Sequence, residues 1–272
     1  DYKEALRFYR LAAEQGHAKA QDTLGVTYNI GLGVPQDDKE AAKWYRLAAE
    51  KGYVLAQYNL GILHRKGQGV PKDYREAAKW YRLAAEQGFL LAQYNLGVMY
   101  KNGEGVPKDY KEALRLYTLA ANQGKVKAQY NLGVIYYEGR AVPQDYEEAV
   151  RWYTFAAKQG DAMAQFNLAS MYEDGYGVSQ DYREAIKFYT IAARQGYATA
   201  QSNLGLMHYN GQCVLADPVI GIMLFNIAAA NGAESAGANR DIIAKEMTSE
   251  DISKAEAMAR ACFNSNYEKC GY

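Results

Sequence analysis

The sequence predicts an all-α fold, an α/α solenoid of helix-turn-helix repeats, and three observations support this prediction. The dipeptide Ala-Gln recurs every 36 residues, first at Ala20 and last at Ala200. The same 36-residue step carries a leucine column, from Leu24 to Leu204, and a glycine column, from Gly31 onward. Double alanines follow at the same interval. Because the step never changes, no linker is predicted inside the array.

The repeat register predicts one repeat domain over residues 1–272. Residues 1–19 match only the second half of a repeat, so we expect that an upstream helix, with any export signal, precedes them in the native protein. Residues 236–272 form a predicted C-terminal capping unit, in which polar side chains replace the leucine and glycine of the repeat. The predicted full repeats are 20–55, 56–91, 92–127, 128–163, 164–199 and 200–235.

Each repeat is predicted to form two helices. In the third repeat, Leu96 and Tyr100 share one helical stripe, and the glycines and proline of residues 103–107 end that helix. Asp109 precedes the second helix and Glu112 follows three residues later, the spacing of a capping box. In such a box the aspartate accepts a hydrogen bond from a helix amide, and the glutamate reaches back to the aspartate amide. The same spacing recurs at Asp37/Glu40, Asp73/Glu76, Asp145/Glu148 and Asp181/Glu184.

Composition excludes several classes of function. The chain has 31 basic and 31 acidic side chains, and this neutral balance argues against nucleic acid as the main partner. No apolar run approaches the ~20 residues that cross a bilayer, so no membrane insertion is predicted. The three histidines are scattered, and no zinc-protease or nucleophile-elbow motif occurs. We therefore expect a protein that is not an enzyme and that needs no cofactor or metal.

The repeat pattern A-x-x-x-L-G-x-x-Y-x-x-G-x-G-V-P-x-D-Y-x-E-A-x-x-W-Y-x-x-A-A-x-x-G resembles that of the Sel-one-like repeat (SLR) proteins, which are related to tetratricopeptide repeats. The resemblance covers about residues 1–264. It implies helix pairs in a right-handed superhelix and a role as adaptor or scaffold for protein complexes. Many bacterial members are exported. The chain departs from the pattern at Ala141 and Cys213, which replace a loop glycine, and at Ala169, which replaces the helix glycine.

A candidate binding groove follows from helix geometry. Positions two before and two after the leucine point away from the packed stripe, and by analogy with tetratricopeptide repeats they line a concave groove. The first column is aromatic in its middle, with Tyr58, Tyr94, Tyr130 and Phe166 lying between Asp22 and Ser202. The second column includes Ile62, Val98 and Val134. These columns predict a hydrophobic track for an extended peptide or a helix, and packing as ordinary core is the alternative.

Charged and polar side chains extend the same face. Arg65 and Lys101 lie in the second and third repeats, whereas Tyr137 and Glu173 occupy the same column in the fourth and fifth. Such a change of sign can orient a partner of complementary charge. Solvated helix ends explain the same residues without any function.

Cys262 and Cys270 are eight residues apart at the end of the last predicted helix. Tetrahedral zinc would need further cysteine or histidine ligands nearby. Some cysteine-rich bacterial relatives carry disulfides between cysteines with this spacing, so the resemblance favours a local disulfide. A disulfide would indicate an oxidising compartment, periplasmic or secreted. The alternative is two reduced, buried thiols in a cytoplasmic protein. Cys213 has no evident partner.

The leading functional hypothesis is an interaction scaffold that binds a protein or peptide partner on its concave face. A second hypothesis, weak binding or hydrolysis of a β-lactam or cell-wall ligand, rests only on the resemblance, because a few bacterial relatives have been linked to penicillin binding. Self-association of the array is a third hypothesis.

Overall fold

The computed structural model describes residues 2–268, 270 and 271, with side chains from residue 4 onward. In this part of the chain every regular element is an α-helix and there is no strand, so the predicted all-α repeat fold is confirmed. The helices are α1 (Tyr2–Glu14), α2 (Ala18–Ile30), α3 (Asp38–Glu50), α4 (Val54–Lys66), α5 (Tyr74–Glu86), α6 (Leu90–Asn102), α7 (Tyr110–Asn122), α8 (Val126–Glu138), α9 (Tyr146–Lys158), α10 (Ala162–Asp174), α11 (Tyr182–Arg194), α12 (Ala198–Asn210), α13 (Pro218–Ala230), α14 (Ala236–Ala244) and α15 (Ser249–Asn264).

First and second helices alternate along the array. The first helices are α2, α4, α6, α8, α10 and α12, and each second helix follows its first helix after a glycine turn. The chain divides into two compact units, Asp1–Ala128 and Gln129–Tyr272. The boundary falls inside α8, where the repeat step is unbroken. The single domain over residues 1–272 stays a prediction, and each unit is described by itself.

Both cores use the columns that the repeat defines. In the first unit, Leu60 and Leu96 are almost fully buried, as are Tyr81 and Tyr117 of the second helices. In the second unit, the repeat leucines and alanines pack in the same way, and Phe225 replaces the buried tyrosine of the last repeat. Small alanine side chains on the second helices let neighbouring helices approach closely.

Aspartate caps begin the second helices, but the predicted capping box is only half formed. The Oδ1 atom of Asp109 accepts hydrogen bonds from the backbone N–H groups of Lys111 at 2.8 Å and Glu112 at 3.1 Å. The predicted reach-back of Glu112 is wrong. The Asp109 N–H instead donates to the Tyr100 carbonyl at 3.0 Å, because the turn brings that carbonyl to it. Glu112 is therefore left to pair with Arg115 at 2.6 Å.

Two glycines of the third repeat are required where helices and turns approach closely. A Cβ at Gly97 would lie 2.8 Å from the ring of Tyr117, so this glycine lets α6 lie against α7. Gly105 has φ of +69°, and a Cβ there would lie 2.3 Å from the backbone of Tyr74. In the sixth repeat Cys213 takes the equivalent place with φ of +57°, a conformation that costs a non-glycine residue energy.

A chain of buried glutamines connects neighbouring repeats. The Gln93 side chain donates to the Ala85 carbonyl at 3.3 Å and accepts from Gln123 at 2.8 Å. In the second unit, Gln165 makes the same two kinds of bond, accepting from Gln195 at 2.6 Å. The glutamine of the Ala-Gln dipeptide is therefore a polar bridge inside the core, because its amide satisfies groups from two elements.

The C-terminal end closes the array differently. Helix α15 packs mainly against α13, and Cys262 and Cys270 form a disulfide at its end. This loop places the Tyr267 hydroxyl where it donates to the Asn231 side chain at 3.0 Å. Asn231 in turn donates to Gln201 at 2.9 Å, in the position that a glutamine fills in earlier repeats. The terminal loop thus completes the polar chain of the last full repeat.

Candidate functional site

The aromatic column lies half-buried along the first helices. Each ring packs against the buried tyrosine of the second helix in its own repeat. The ring-centroid distances are 5.7 Å for Tyr58–Tyr81, 5.9 Å for Tyr94–Tyr117, 5.9 Å for Tyr130–Tyr153 and 5.7 Å for Phe166–Tyr189. Each ring thus packs partly into the core and keeps part of its surface exposed, and the binding role of this column stays a prediction.

The aliphatic column is also half-buried. Ile62 and Val98 lie beside the tyrosines of the first unit, and Val134 lies beside Tyr130 in the second. We refer to these half-buried side chains together as the ladder face. It consists of Tyr58, Ile62, Tyr94 and Val98 in the first unit and of Tyr130, Val134 and Phe166 in the second.

The buried tyrosines beneath the ladder face are held neutral. Burial raises the pKa of the Tyr81, Tyr153 and Tyr189 hydroxyls above the ordinary tyrosine value. Asparagines of the following repeats donate to tyrosine hydroxyls, one in this layer and one on the ladder face. Asn203 donates to the Tyr189 hydroxyl at 3.0 Å, and Asn95 donates to the Tyr58 hydroxyl at 3.4 Å. The layer is therefore a set of fixed, uncharged groups.

Asp22 occupies the aromatic position in the first repeat and differs from the tyrosines in both charge and burial. It is buried, with 6% of its surface exposed. Burial raises its pKa to about 6, and a hydrogen bond from Asn59 at 3.4 Å opposes that rise only in part. Asp22 also contributes, after burial itself, to raising the pKa of Tyr45. The ladder face therefore begins at Tyr58.

The first unit contains a cavity of about 470 Å³ on the ladder face, which we name the basic pocket. It is lined by Tyr58, Ile62, Arg65, Lys66, Lys72, Tyr74, Tyr81 and Asn95. Arg65 is half-buried and lies 3.5 Å from Glu104, whereas the Lys72 ammonium sits 5.0 Å from the centre of the Tyr74 ring. Lys101, one repeat further along, is half-buried as well.

The second unit contains a smaller cavity of about 200 Å³, which we name the tyrosine pocket. It is lined by Tyr137, Tyr153, Phe166, Asn167, Ser170 and Met171. Tyr137 is 36% exposed and begins a row of rings, with Tyr146 at 5.4 Å from it and Tyr176 stacked on Tyr146 at 4.9 Å. Glu173 accepts a hydrogen bond from the Tyr189 hydroxyl at 2.7 Å, so this predicted charge is tied to the tyrosine layer.

Groups that catalysis or metal binding would use are dispersed. Burial lowers the pKa of His64 and of His208, which occupy a column that is otherwise tyrosine. Within residues 2–268, 270 and 271, no three histidine, cysteine or acidic side chains are grouped as metal ligands would be. Cys213 is an exposed free thiol, and Cys262 and Cys270 are buried in their disulfide. None of the described helices has both the length and the apolar content that crossing a bilayer requires.

Sequence reasoning missed one apolar column. It lies on the second helices and is 37–47% exposed, at Leu11, Leu47, Leu83, Leu119, Phe155 and Ile191. We refer to it as the outer column. Its 36-residue step is visible in the sequence, but an apolar residue beside the buried alanines is indistinguishable from core by periodicity alone. In the last full repeat the equivalent Ile227 is only 2% exposed.

Known proteins share both the repeat and the fold. The Sel1 repeat profile matches residues 1–17, 18–53, 54–89, 90–125, 126–161, 162–197 and 198–232. The chain is similar to a Sel1 repeat protein from Oxalobacter formigenes at 36% identity, with a TM-score of 0.71, over 84% of this chain and 91% of that one.

It is also similar to c5321, a protective antigen of uropathogenic Escherichia coli strains that has an SLR fold. The identity is 29% and the TM-score 0.53, over 98% of this chain and 74% of that one. No curated protein matches the chain significantly. Because the profile matches seven consecutive segments and the Oxalobacter structure agrees in both sequence and fold, the chain belongs to the Sel1 repeat family.

Proposed function

We propose that this protein is an adaptor that binds an extended peptide or a helix of a partner protein on the ladder face, in a concave groove. Sel1 repeat proteins generally mediate protein–protein interactions, and the family is generally non-enzymatic. The observation that carries the proposal is the row of half-buried aromatic and aliphatic side chains on the first helices, with a pocket on it in each unit. Aromatic anchors in such pockets supply most of the binding energy in protein interfaces.

The proposal is tested by selecting peptides from a displayed random library and measuring their affinity for two variants. The ladder variant carries Ile62→Ala, Val98→Ala and Val134→Ala. The outer variant carries Leu47→Ala, Leu83→Ala and Leu119→Ala, and it truncates the same number of aliphatic side chains. Circular dichroism establishes that both variants are folded.

We expect the ladder variant to lose roughly tenfold or more in affinity and the outer variant to change little. Loss of binding in the outer variant alone would move the site to the second helices and contradict the proposal.

We also propose an oxidising location, periplasmic or secreted, which the pairing of Cys262 with Cys270 supports. Alkylation of protein taken directly from its host separates this location from the cytoplasmic alternative. One modified cysteine, Cys213, is expected if the other two are paired, and three are expected if all are reduced.

The alternative hypothesis of β-lactam or cell-wall-ligand binding gains no support from the described residues, so it is not proposed. Self-association is open to the same library experiment, since a second copy of the chain would compete with the selected peptides.

A further inference from the structure

The basic pocket and the tyrosine pocket share three register positions two repeats apart, because Arg65, Tyr81 and Asn95 correspond to Tyr137, Tyr153 and Asn167. Tyr58, Tyr74, Tyr81 and Asn95 correspond to Tyr130, Tyr146, Tyr153 and Asn167, which are identical residue types. The differences are concentrated in three charged positions. Arg65, Lys66 and Lys72 correspond to Tyr137, Glu138 and Gln144. The scaffold positions therefore agree, and of these two pockets the basic pocket alone carries the cations.

The basic pocket has three cationic side chains, and one acidic side chain pairs with them. Arg65 has one carboxylate partner, Glu104, at 3.5 Å, a separation longer than a normal charge-assisted hydrogen bond. In the described part of the chain, Lys66 and Lys72 form no ion pair with an acidic side chain, and Lys72 contacts the Tyr74 ring instead. The pocket therefore carries a local positive charge in a chain whose formal net charge is zero.

The surroundings of these cations suit a carboxylate on an otherwise apolar peptide. Ile62 and the tyrosine rings supply apolar contact area, while Arg65 offers a planar donor pair that matches a carboxylate. A cavity of about 470 Å³ accommodates an amino-acid side chain. The partial burial of Arg65 strengthens its attraction to an anion relative to a fully solvated arginine.

We infer that the basic pocket recognises a carboxylate of the bound peptide, from an aspartate or glutamate side chain or from a free C-terminus. This inference rests on the proposed function, and it adds the chemistry of the partner. An acidic peptide is favoured over nucleic acid because only one of these two pockets is cationic, and the register-equivalent positions in the fourth and fifth repeats carry Glu138, Glu173 and Asp174.

The test is calorimetric titration of the full chain with three decapeptides of one design. The first alternates valine with glutamate and has an amidated C-terminus. The second replaces each glutamate by glutamine, and the third is the glutamine peptide with a free C-terminal carboxylate. Tighter binding of the first identifies a side-chain carboxylate, and tighter binding of the third identifies the C-terminus.

The pocket variant carries Arg65→Tyr, Lys66→Gln and Lys72→Gln, and tyrosine and glutamine are the residues that the fourth repeat has at the first and third of these positions. The control variant carries Lys43→Gln, Lys79→Gln and Arg151→Gln. It removes the same charge from second helices, where each cation pairs with a glutamate three residues earlier.

We expect the pocket variant to bind the preferred acidic peptide about tenfold more weakly and the control variant to bind it nearly unchanged. A glutamine peptide with an amidated end that binds as tightly as the acidic peptides would overturn the inference. Equal loss in both variants, or no binding of any decapeptide, would overturn it as well. If the library peptides still bind the ladder face in those cases, the proposed function stands without this chemistry.

Discussion

The basic pocket and the tyrosine pocket share a pair of packed tyrosines and differ in the side chains around it. In both repeats a tyrosine of the first helix packs at 5.7–5.9 Å against a buried tyrosine of the second helix. Around this constant pair, the basic pocket presents Arg65 and the tyrosine pocket presents Tyr137. The tyrosine of the second helix in each pair is buried in the repeat core, whereas Arg65 and Tyr137 at the ends of the first helices are partly exposed. The two pockets therefore differ in side chains that lie outside this constant pair.

The largest expected effect tests whether a helix glycine packs against the buried tyrosine in the same way beneath both pockets. A Cβ at Gly61 would lie 2.7 Å from the Tyr81 ring, and one at Gly133 would lie 2.5 Å from the Tyr153 ring. We expect Gly61→Ala and Gly133→Ala each to lower the free energy of unfolding by about 2 kcal/mol, because overpacking outweighs the gain in helix propensity. Chemical unfolding followed by circular dichroism measures both.

The natural Ala169 provides the control for this prediction, since it occupies the same register in the fifth repeat and is fully buried. Ala169→Gly is expected to change the free energy of unfolding much less. A loss of unfolding free energy for Gly61→Ala with none for Gly133→Ala would contradict equivalent packing beneath the two pockets.

Asp22 extends the comparison to the first repeat, where a buried carboxyl occupies the position that Tyr58 and Tyr130 occupy in the second and fourth repeats. Its pKa is raised from 3.8 to about 6, so the ionised form destabilises the folded state. Asp22→Asn is expected to raise the free energy of unfolding by about 2 kcal/mol at pH 8. That advantage should shrink as the pH falls through 6 and vanish below 3.8, where wild-type Asp22 is protonated in both states. Unfolding curves across this pH range check the sign, and a pH-independent difference would contradict burial of the Asp22 carboxylate as the cause.

A reciprocal exchange asks whether three positions suffice to convert one pocket into the other. The variant with Tyr137→Arg, Glu138→Lys and Gln144→Lys places the three cations of the basic pocket at the equivalent positions of the fourth repeat, of which Tyr137 lines the tyrosine pocket. We expect its affinity for the acidic decapeptide to rise several-fold, equivalent to about 1 kcal/mol, since each half-exposed charge contributes little. Calorimetry on this variant, made in the background of the Arg65, Lys66 and Lys72 replacements, isolates the new site. Unchanged affinity would show that the charged positions alone do not define the pocket.

The smallest effect concerns two asparagines that donate to tyrosine hydroxyls of the preceding repeat. Asn95→Ala removes the bond to the Tyr58 hydroxyl, and Asn203→Ala removes the shorter bond to the Tyr189 hydroxyl. We expect losses of about 0.5 and 1 kcal/mol in the free energy of unfolding, in that order, because the first bond is long. Thermal unfolding resolves the order, and a larger loss at Asn95 would be incompatible with the longer bond being the weaker one.

Periodicity predicted the helix pairs and the aspartate caps, because both depend on local sequence. Asp109 caps its helix as expected, whereas the reach-back of Glu112 failed because the Asp109 amide already had a partner in the preceding helix. That partner is the Tyr100 carbonyl, and a turn geometry, not a spacing rule, brings it close. Local motifs therefore predicted one half of the box and not the other.

The sequence predicted which columns of residues form the candidate site, but it did not predict how deeply each column is buried. Tyr58 and Leu83 are both apolar members of a repeat column, yet Tyr58 lies in a pocket while Leu83 is 37% exposed on a second helix. Burial depends on how neighbouring repeats stack, and the sequence pattern of a single repeat does not determine that stacking. The role of Gln93 was missed for the same reason, since its partners lie in two different elements.

The most direct test of partner binding on the ladder face is site-specific photo-crosslinking in a lysate of the native host. The photoreactive residue p-benzoylphenylalanine replaces Tyr137 on the rim of the tyrosine pocket in one variant and Phe155 of the outer column in another. Both positions are aromatic and have similar exposure, 36% and 41%. We predict partner adducts from position 137 that a selected peptide suppresses, and few from position 155. Adducts from position 155 alone would contradict binding on the ladder face.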